Sequence, residues 1–527
     1  MAIGISYAEE LVYHQGSTRV ICQITGDEDT HILKHTLSRT ATQAGVIGTD
    51  LGSSFEHNGF LFFLFGDTAG GVEKDADCFA VSDSNDPQKL VIKFPLAEDK
   101  KFLPIKIPGI FQGVMAVPSY GISVSGKIYI VFTTDWYHPK DKIDQRGNME
   151  RSVLARSSDN GRTWTYLYDL SAAENHNMSN ARFINVSMAN VKAEDFENLL
   201  PCDSGQVVLI WGSGAYRKSN PSLACIAADK IEDKTALRFF SGLGRDGRPV
   251  WSKNESDAAP LFEYPRLGEL SAAWIDKISR WVILYNTDAP NGVCMRTAEK
   301  PWGPYSQPQV IFDSNLIYEN RWAGAYGPYI IPRFTSGDDK KCTIYYTLSA
   351  WQPYQAFLVR SEIGEPIQRP AGTIADYIIP GDDSWEKSST DFFKSFIRNG
   401  AAYITTFGPM GDASEGLMWR YLPRDRKNIA LRFSVHGGHA EVMLVEGGAD
   451  IPVHQTDLAG LYKQIRQGNY GTVVRSTRGK DNNNEGIFAD WDLTSLDSAN
   501  LKIVIIDRLN GPWGFVSVSR MTLLRSE

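Results

Sequence analysis

The sequence predicts an all-β chain: a five-bladed β-propeller over residues 1–365, then a β-sandwich over residues 366–527. Three observations carry this. Helical periodicity is scarce, and short apolar, β-branched and aromatic runs are separated instead by Gly, Pro, Asn and Asp. The runs Lys127–Thr133, Val207–Trp211, Trp281–Tyr285 and Thr343–Thr347 recur at roughly 60–80 residues, a little above the usual blade length. Each follows another short strand and a turn, as in Tyr120–Gly126, which suits about five four-stranded blades with long connecting loops. The competing reading is a stack of unrelated sandwiches. Long loops and the absence of a clear linker before residue 365 favour one closed unit.

The first informative segment holds Gly48-Thr49-Asp50-Leu51-Gly52 and, seventeen residues on, Phe65-Gly66-Asp67-Thr68. Between them Phe55–Leu64 reads as a turn and then a buried strand. Each aspartate sits beside glycine at the end of an apolar segment. Two strand ends meeting at one rim bring two carboxylates together, the geometry that cleavage of a glycosidic bond requires. In the second predicted blade, Ser157-Ser158-Asp159-Asn160-Gly161-Arg162-Thr163-Trp164 matches the Asp-box pattern of sialidase-like propellers. It predicts a hairpin turn in which Asp159 caps backbone N–H groups, Gly161 takes a positive φ and Trp164 packs beneath. Asp159 is therefore read as structural.

Composition shifts around residues 364–390, where Glu365-Pro366 and Ile379-Pro380-Gly381 mark a boundary. Beyond it, Leu431–Val435 and Glu441–Val445 read as a hairpin across Gly437-Gly438. Asn500–Ile506 and Phe515–Leu524 read as late strands, and a region of this kind suggests a sandwich.

Composition also excludes function classes. The net charge of −8, with no long basic run, argues against nucleic acid and anionic membrane as partners. The aromatic content of 11% suits β cores and sites where flat sugar faces lie on rings. Six scattered cysteines without a CxxC pair make a zinc site or a dense disulfide framework improbable. Met1–Tyr7 has neither a basic nor a long apolar stretch, so the expectation is a cytoplasmic protein, or a secreted one from which a leader was trimmed. Oligomeric state carries no signal.

Hydrolysis of a glycosidic bond needs an acid at the leaving oxygen and a base or nucleophile at the anomeric carbon. Asp50 and Asp67 are the candidate catalytic pair. The competing reading makes Asp67, followed by Thr68, a turn cap. Which one is the acid stays open at this point; the acid should occupy the drier pocket, with a raised pKa. Glu269, between Gly268 and an apolar strand, is a third carboxylate. It could position substrate, tune a neighbour's pKa or serve as acid, against a bland reading as a charge-paired rim residue. Arg217 follows the strand ending in Trp211 and is a candidate for binding sugar hydroxyls or a carboxylate. Asp135 and Trp136 end one strand and Asn286 ends another, all at the same rim if the blades are equivalent. Tyr326 and Trp351 are candidate sugar platforms, and His57, between the two aspartates, is a candidate lining residue. No cofactor is expected, and no HxH or HExxH pattern supports zinc. The acids Asp75, Asp77 and Asp481 leave room for a structural calcium, although solvated loops explain them more simply.

Several segments together resemble one family, long described as a domain of unknown function (DUF4185) and linked to endo-D-arabinofuranases of the glycoside hydrolase family 183 kind. They are the two aspartate segments, Gly268-Glu269-Leu270-Ser271, Met295–Ala298 running into Pro301-Trp302-Gly303-Pro304-Tyr305, Tyr326-Gly327-Pro328-Tyr329 and Tyr345–Trp351. The resemblance covers about residues 15–362. It implies a five-bladed propeller, a catalytic pair at Asp50 and Asp67, and inverting hydrolysis of D-arabinofuranosyl linkages in arabinan-type glycans. The C-terminal segments Phe433–Gly438, Ile505-Ile506-Asp507 and Gly511-Pro512-Trp513-Gly514 resemble the sandwich appended to fructan-active enzymes. A fructofuranosidase or difructose-anhydride enzyme is therefore one alternative, and a non-catalytic carbohydrate-binding propeller is another. Endo and exo action are not distinguished.

Overall fold

In the computed structural model, five sheets between residues 11 and 364 stand around one ring. The structure describes residues 11–526 except 31, 33, 72–75, 114, 136–148, 174–179, 203, 215–218, 265, 289–290, 314–323, 367–373, 378–383, 389–393, 399–400, 407–414, 424, 426, 438–439, 455–456, 480–486, 498–499 and 509–515. Each sheet, or blade, begins with its innermost strand. These are Gly48–His57, Pro118–Val124, Asn185–Lys192, Leu270–Ile275 and Ala325–Ile330 for blades one to five. Each innermost strand touches the next, and Ala325–Ile330 touches Gly48–His57, so the circle closes.

Closure uses the start of the chain. Val12–Tyr13 and Arg19–Gln23 pair antiparallel with Tyr354–Gly364, placing N-terminal strands on the outer side of blade five. A ring closed by its two ends leaves no gap between first and last blades.

The continuous apolar runs follow from sheet stacking. Every second strand lies inside its blade, with a neighbouring blade against each face, so both side-chain sets are buried. In Phe60–Ala69, Phe62 and Leu64 pack with Ile128, Ile130 and Phe132 of blade two. The alternate residues Phe63 and Phe65 pack with Tyr345 and Leu358 of blade five. In Arg280–Asp288, Ile283 and Tyr285 meet Leu209 and Trp211 of blade three, whereas Val282 and Leu284 meet Ile344 and Tyr346 of blade five.

The Asp-box forms the turn between Arg151–Ser157 and Thr165–Ala172 of blade two. Asp159 accepts from the Thr163 N–H at 2.9 Å and the Thr163 hydroxyl at 2.6 Å. Gly161 takes φ 87°, and Trp164 is buried against Phe79 and Val153.

From Ile374 onward the strands fall into two further sheets, and among the described residues none pairs with a strand of the ring. One sheet holds Asn428–His436, Ile487–Asp492 and Ser517–Arg525; the other holds Gly416–Tyr421, Ala440–Glu446, Thr472–Arg478 and Leu501–Asp507. Leu431, Phe433 and Val518 of the first share one core with Val442, Leu444, Ile503 and Ile505 of the second, so the sheets pack face to face. The alternate residues Met443, Val445, Val504 and Ile506 face outward under Leu461 and Ile465 of the helix Leu458–Arg466. The expected hairpin across Gly437-Gly438 is corrected: its two strands lie in different sheets, each pairing elsewhere. Chain crossing from layer to layer keeps the same alternation as a hairpin, so the sequence pattern did not separate the two.

The sandwich touches the closing strand Arg19–Gln23 and the loop that follows it. The Arg19 guanidinium donates to the Val474 carbonyl, and the Gln467 amide donates to the Ile32 carbonyl at 2.8 Å.

Candidate active site

All five innermost strands start at one mouth of the ring and run to the other. The carboxylates gather at the starting mouth. Asp50 is the third residue of Gly48–His57, Glu269 immediately precedes Leu270–Ile275, and Tyr326 is the second residue of Ala325–Ile330. Asp67 lies near the end of the adjacent antiparallel strand Phe60–Ala69, one residue beyond Gly66, the cross-strand partner of Asp50.

Local backbone irregularity aims these side chains. Pairing of the first two strands shifts between Gly48 and Asp50 and between Leu51 and Ser53, and the next pair shifts between Phe65 and Thr68. Leu51 takes φ 66°, Gly52 φ 91° and Asp67 φ 40°. Such bulges turn a side chain out of strict alternation. Blade five holds the bulge at Leu51-Gly52, because Ser349 donates to the Leu51 carbonyl and Thr347 to the Gly52 carbonyl, both at 3.0 Å.

Asp50 is buried, and its Oδ2 accepts from the Tyr326 hydroxyl at 2.8 Å. Burial pushes its carboxyl up to about 7, and the nearby charge of Glu269 adds to that. Hydrogen bonds from Tyr326 and Tyr354 oppose the rise. Gly66 lies so close that a Cβ there would stand 2.9 Å from Asp50 Oδ1.

Asp67 is half-buried; its N–H donates to Asp77 Oδ1 at 3.3 Å, and its Oδ2 accepts from the Met115 N–H at 3.4 Å. Asp77 itself is 2% exposed. Burial first, then the charge of Asp67 and more weakly that of Asp50, hold its carboxyl well above the usual range, with Lys106 opposing. Asp50, Asp67, Asp77 and Glu269 therefore share one electrostatic neighbourhood. A buried carboxyl that keeps its proton beside a more exposed carboxylate can exchange protons with a bound hydroxyl or water.

Other expected residues also reach this mouth. Asn286 is buried and its amide packs over Gly268, where a Cβ would fall 2.5 Å from Asn286 Nδ2. Its backbone N–H donates to the Glu269 carbonyl at 3.2 Å, which ties Glu269 to blade four. Asp135 is buried at the end of Lys127–Thr134, and its Oδ1 accepts from the Glu150 N–H at 3.2 Å. Trp351 ends a strand of blade five, is 55% exposed and stands edge-on to Tyr326 at 6.2 Å. Arg217 and Trp136 lie outside the described residues, as do Asp75 and Asp481.

Two readings are corrected. His57 does not line the site. It sits at the turn end of its strand, seven positions from Asp50 and so roughly 23 Å away at the usual strand rise. There its ring pairs with Ser123 Oγ at 2.8 Å and the Asp-box residue Asn160 Oδ1 at 2.9 Å. Nearness in sequence misled because a hairpin carries its turn away from its open end. Asp77 is a buried strand residue rather than a solvated loop acid. Tyr354 was missed; its only cue was a place just after Trp351 at a predicted rim. Among the described residues, no group of three or more His, Cys, Asp or Glu side chains is arranged to hold a metal, and no helix is long and apolar enough to cross a membrane.

The family model described as a domain of unknown function (DUF4185) matches residues 36–360. No curated protein matches the chain. Similar solved structures include an exo-beta-1,3-galactanase from Phanerochaete chrysosporium with beta-1,3-galactotriose. It is 10% identical with a TM-score of 0.39, over 96% of this chain and 100% of that one. The arabinanase of Bacillus subtilis is 11% identical with a TM-score of 0.35, over 60% of this chain and 96% of that one. An alpha-L-arabinofuranosidase from Podospora anserina with cellotriose is 11% identical with a TM-score of 0.36, over 67% of this chain and 98% of that one.

Proposed function

We propose, since this chain belongs to the DUF4185 family, that it is a glycoside hydrolase cutting furanosidic linkages, first among them D-arabinofuranosyl bonds of arabinan-type glycans. The observation that carries the reading is the placing of buried Asp50 and half-buried Asp67 on adjacent strands at one mouth, where Glu269 and Trp351 also stand. Asp50, the drier of the two, acts as the acid and gives its proton to the leaving glycosidic oxygen as the bond to the anomeric carbon breaks. Asp67, more exposed, acts as the base and takes a proton from the water that attacks that carbon, with inversion. Burial does most to keep the acid protonated, and the charge of Glu269 adds to it. Trp351, braced by Tyr326, offers an apolar face to a sugar ring.

The test is product release from purified arabinan, inulin and levan by the wild type, Asp50→Asn and Asp67→Asn. Removal of a general acid or base lowers turnover by roughly 10²–10⁴-fold, so each variant should retain its fold and lose nearly all new reducing ends. Wild-type turnover in both variants refutes the assignment. Release from inulin or levan alone moves the substrate to a fructan. Binding of glycan without turnover by the wild type leaves a lectin.

A further inference from the structure

A cavity of about 710 Å³ opens at the opposite mouth of the ring, where the innermost strands end. It is lined by Ser54–Glu56 of blade one, Tyr120–Ser123 of blade two, Met188–Lys192 of blade three and Ala272–Trp274 of blade four, and no carboxylate of the candidate active site reaches it. We propose that this cavity is a second saccharide-binding site, separate from the one at Asp50.

Its lining has the chemistry of a neutral polyol site. Trp274 is 38% exposed, on a strand whose other residues are all buried. Its ring is fixed from behind by Trp281 at 5.7 Å, and Trp281 is fixed in turn by Trp211 at 4.9 Å. A rigid indole open on one side gives a sugar ring apolar contact at little entropic cost. Around it stand neutral amides and charges of both signs. Glu56 is paired with Arg333 at 2.6 Å and Glu299 with Arg280 at 3.1 Å. The remaining charged lining residues are Lys192 and Lys300 against Asp195 and Asp276, which balance. A balanced fringe gives no net attraction to phosphate or to a cation, while it supplies donors and acceptors for hydroxyls. The volume falls within the range of about 300–1,000 Å³ typical of small-molecule sites.

The proposal stands on this lining and not on the carboxylate pair, so the two fail separately. The experiment is native electrophoresis of the full chain through gels containing arabinan, inulin or xylan, with turnover of a short soluble oligosaccharide measured in parallel. Trp274→Ala and Gln206→Ala, the latter removing a lining amide, are the variants; both positions are exposed, and unchanged melting confirms that each folds. On the gel that retards the wild type, Trp274→Ala should weaken retention about fivefold, the order one lost ring contact supplies. Turnover of the short oligosaccharide should stay within about twofold, because remote binding that is equal in ground and transition states leaves kcat alone. Retention of both variants equal to wild type on every gel overturns the proposal, as does a wild type that none of the gels retards. Retention that depends on Trp274 without any hydrolysis would leave this site standing and remove the glycosidase.

Discussion

At the residue scale, Asp50 contributes one clear pH dependence to the molecule. Burial pushes its carboxyl up to about 7 from an ordinary 3.8, so around neutral pH the native state holds a proton that the unfolded chain releases. The resulting stability is fully present below about pH 3.8 and is lost as pH rises through 7. At pH 8 a buried anion remains, and the gap corresponds to at most roughly 4 kcal/mol. Asp50→Asn should therefore melt higher than wild type at pH 8 and nearly level with it at pH 4, by calorimetry. In the proposed mechanism Asp50 must be protonated to act as the acid, so activity should fall as pH rises through its pKa. Glu269→Gln removes a charge that raises that pKa, so the alkaline limb of the rate profile should move to lower pH. A limb that stays in place or moves upward contradicts the role given to Glu269. The placing of Asp50 and Asp67 at one mouth was legible because each sits beside glycine at a strand end. Asp77 and Tyr354 were not assigned to the site, since only tertiary pairing brings them there, and His57 was misplaced by counting along the chain instead of along the hairpin.

Bulges and tight turns decide function at the scale of single elements. Gly66 leaves no room between Val117 and Asp50: a Cβ would lie 2.7 Å from Val117 Cγ1 and 2.9 Å from Asp50 Oδ1. Gly66→Ala should cost about 1–3 kcal/mol, as overpacking does, and also displace Asp50, lowering kcat at least about tenfold, which steady-state kinetics would read. In the Asp-box, Asp159→Ala removes two hydrogen bonds to Thr163. It should lower stability by about 1 kcal/mol in a urea titration without changing kcat, because this turn lies at the far end from Asp50. The Asp-box was legible from eight consecutive residues, since turn chemistry is local. The supposed hairpin across Gly437-Gly438 was not, because a turn between two sheets and a turn within one demand the same glycine.

The ring is a single cooperative object at the scale of the whole molecule, because each blade lends a face to the next. The all-β class and the propeller were readable from runs that are apolar on both strand faces, a pattern that arises when sheets are stacked on both sides. The clasp, formed where the first strands pair with Tyr354–Gly364, was not readable: Arg19–Gln23 carries no mark that points to that strand. Deleting residues 11–23 should expose the edge of blade five and make the ring's calorimetric transition broader and lower in temperature; an unchanged melt would show these strands to be dispensable. The clasp also imposes an order of events during synthesis. Its two halves are separated by more than three hundred residues, so at about 5–20 residues per second the first strands wait roughly 15–70 s for their partner to leave the ribosome. Through that interval the nascent chain carries an open strand edge, and a chaperone or the unfinished ring must shield it from other chains.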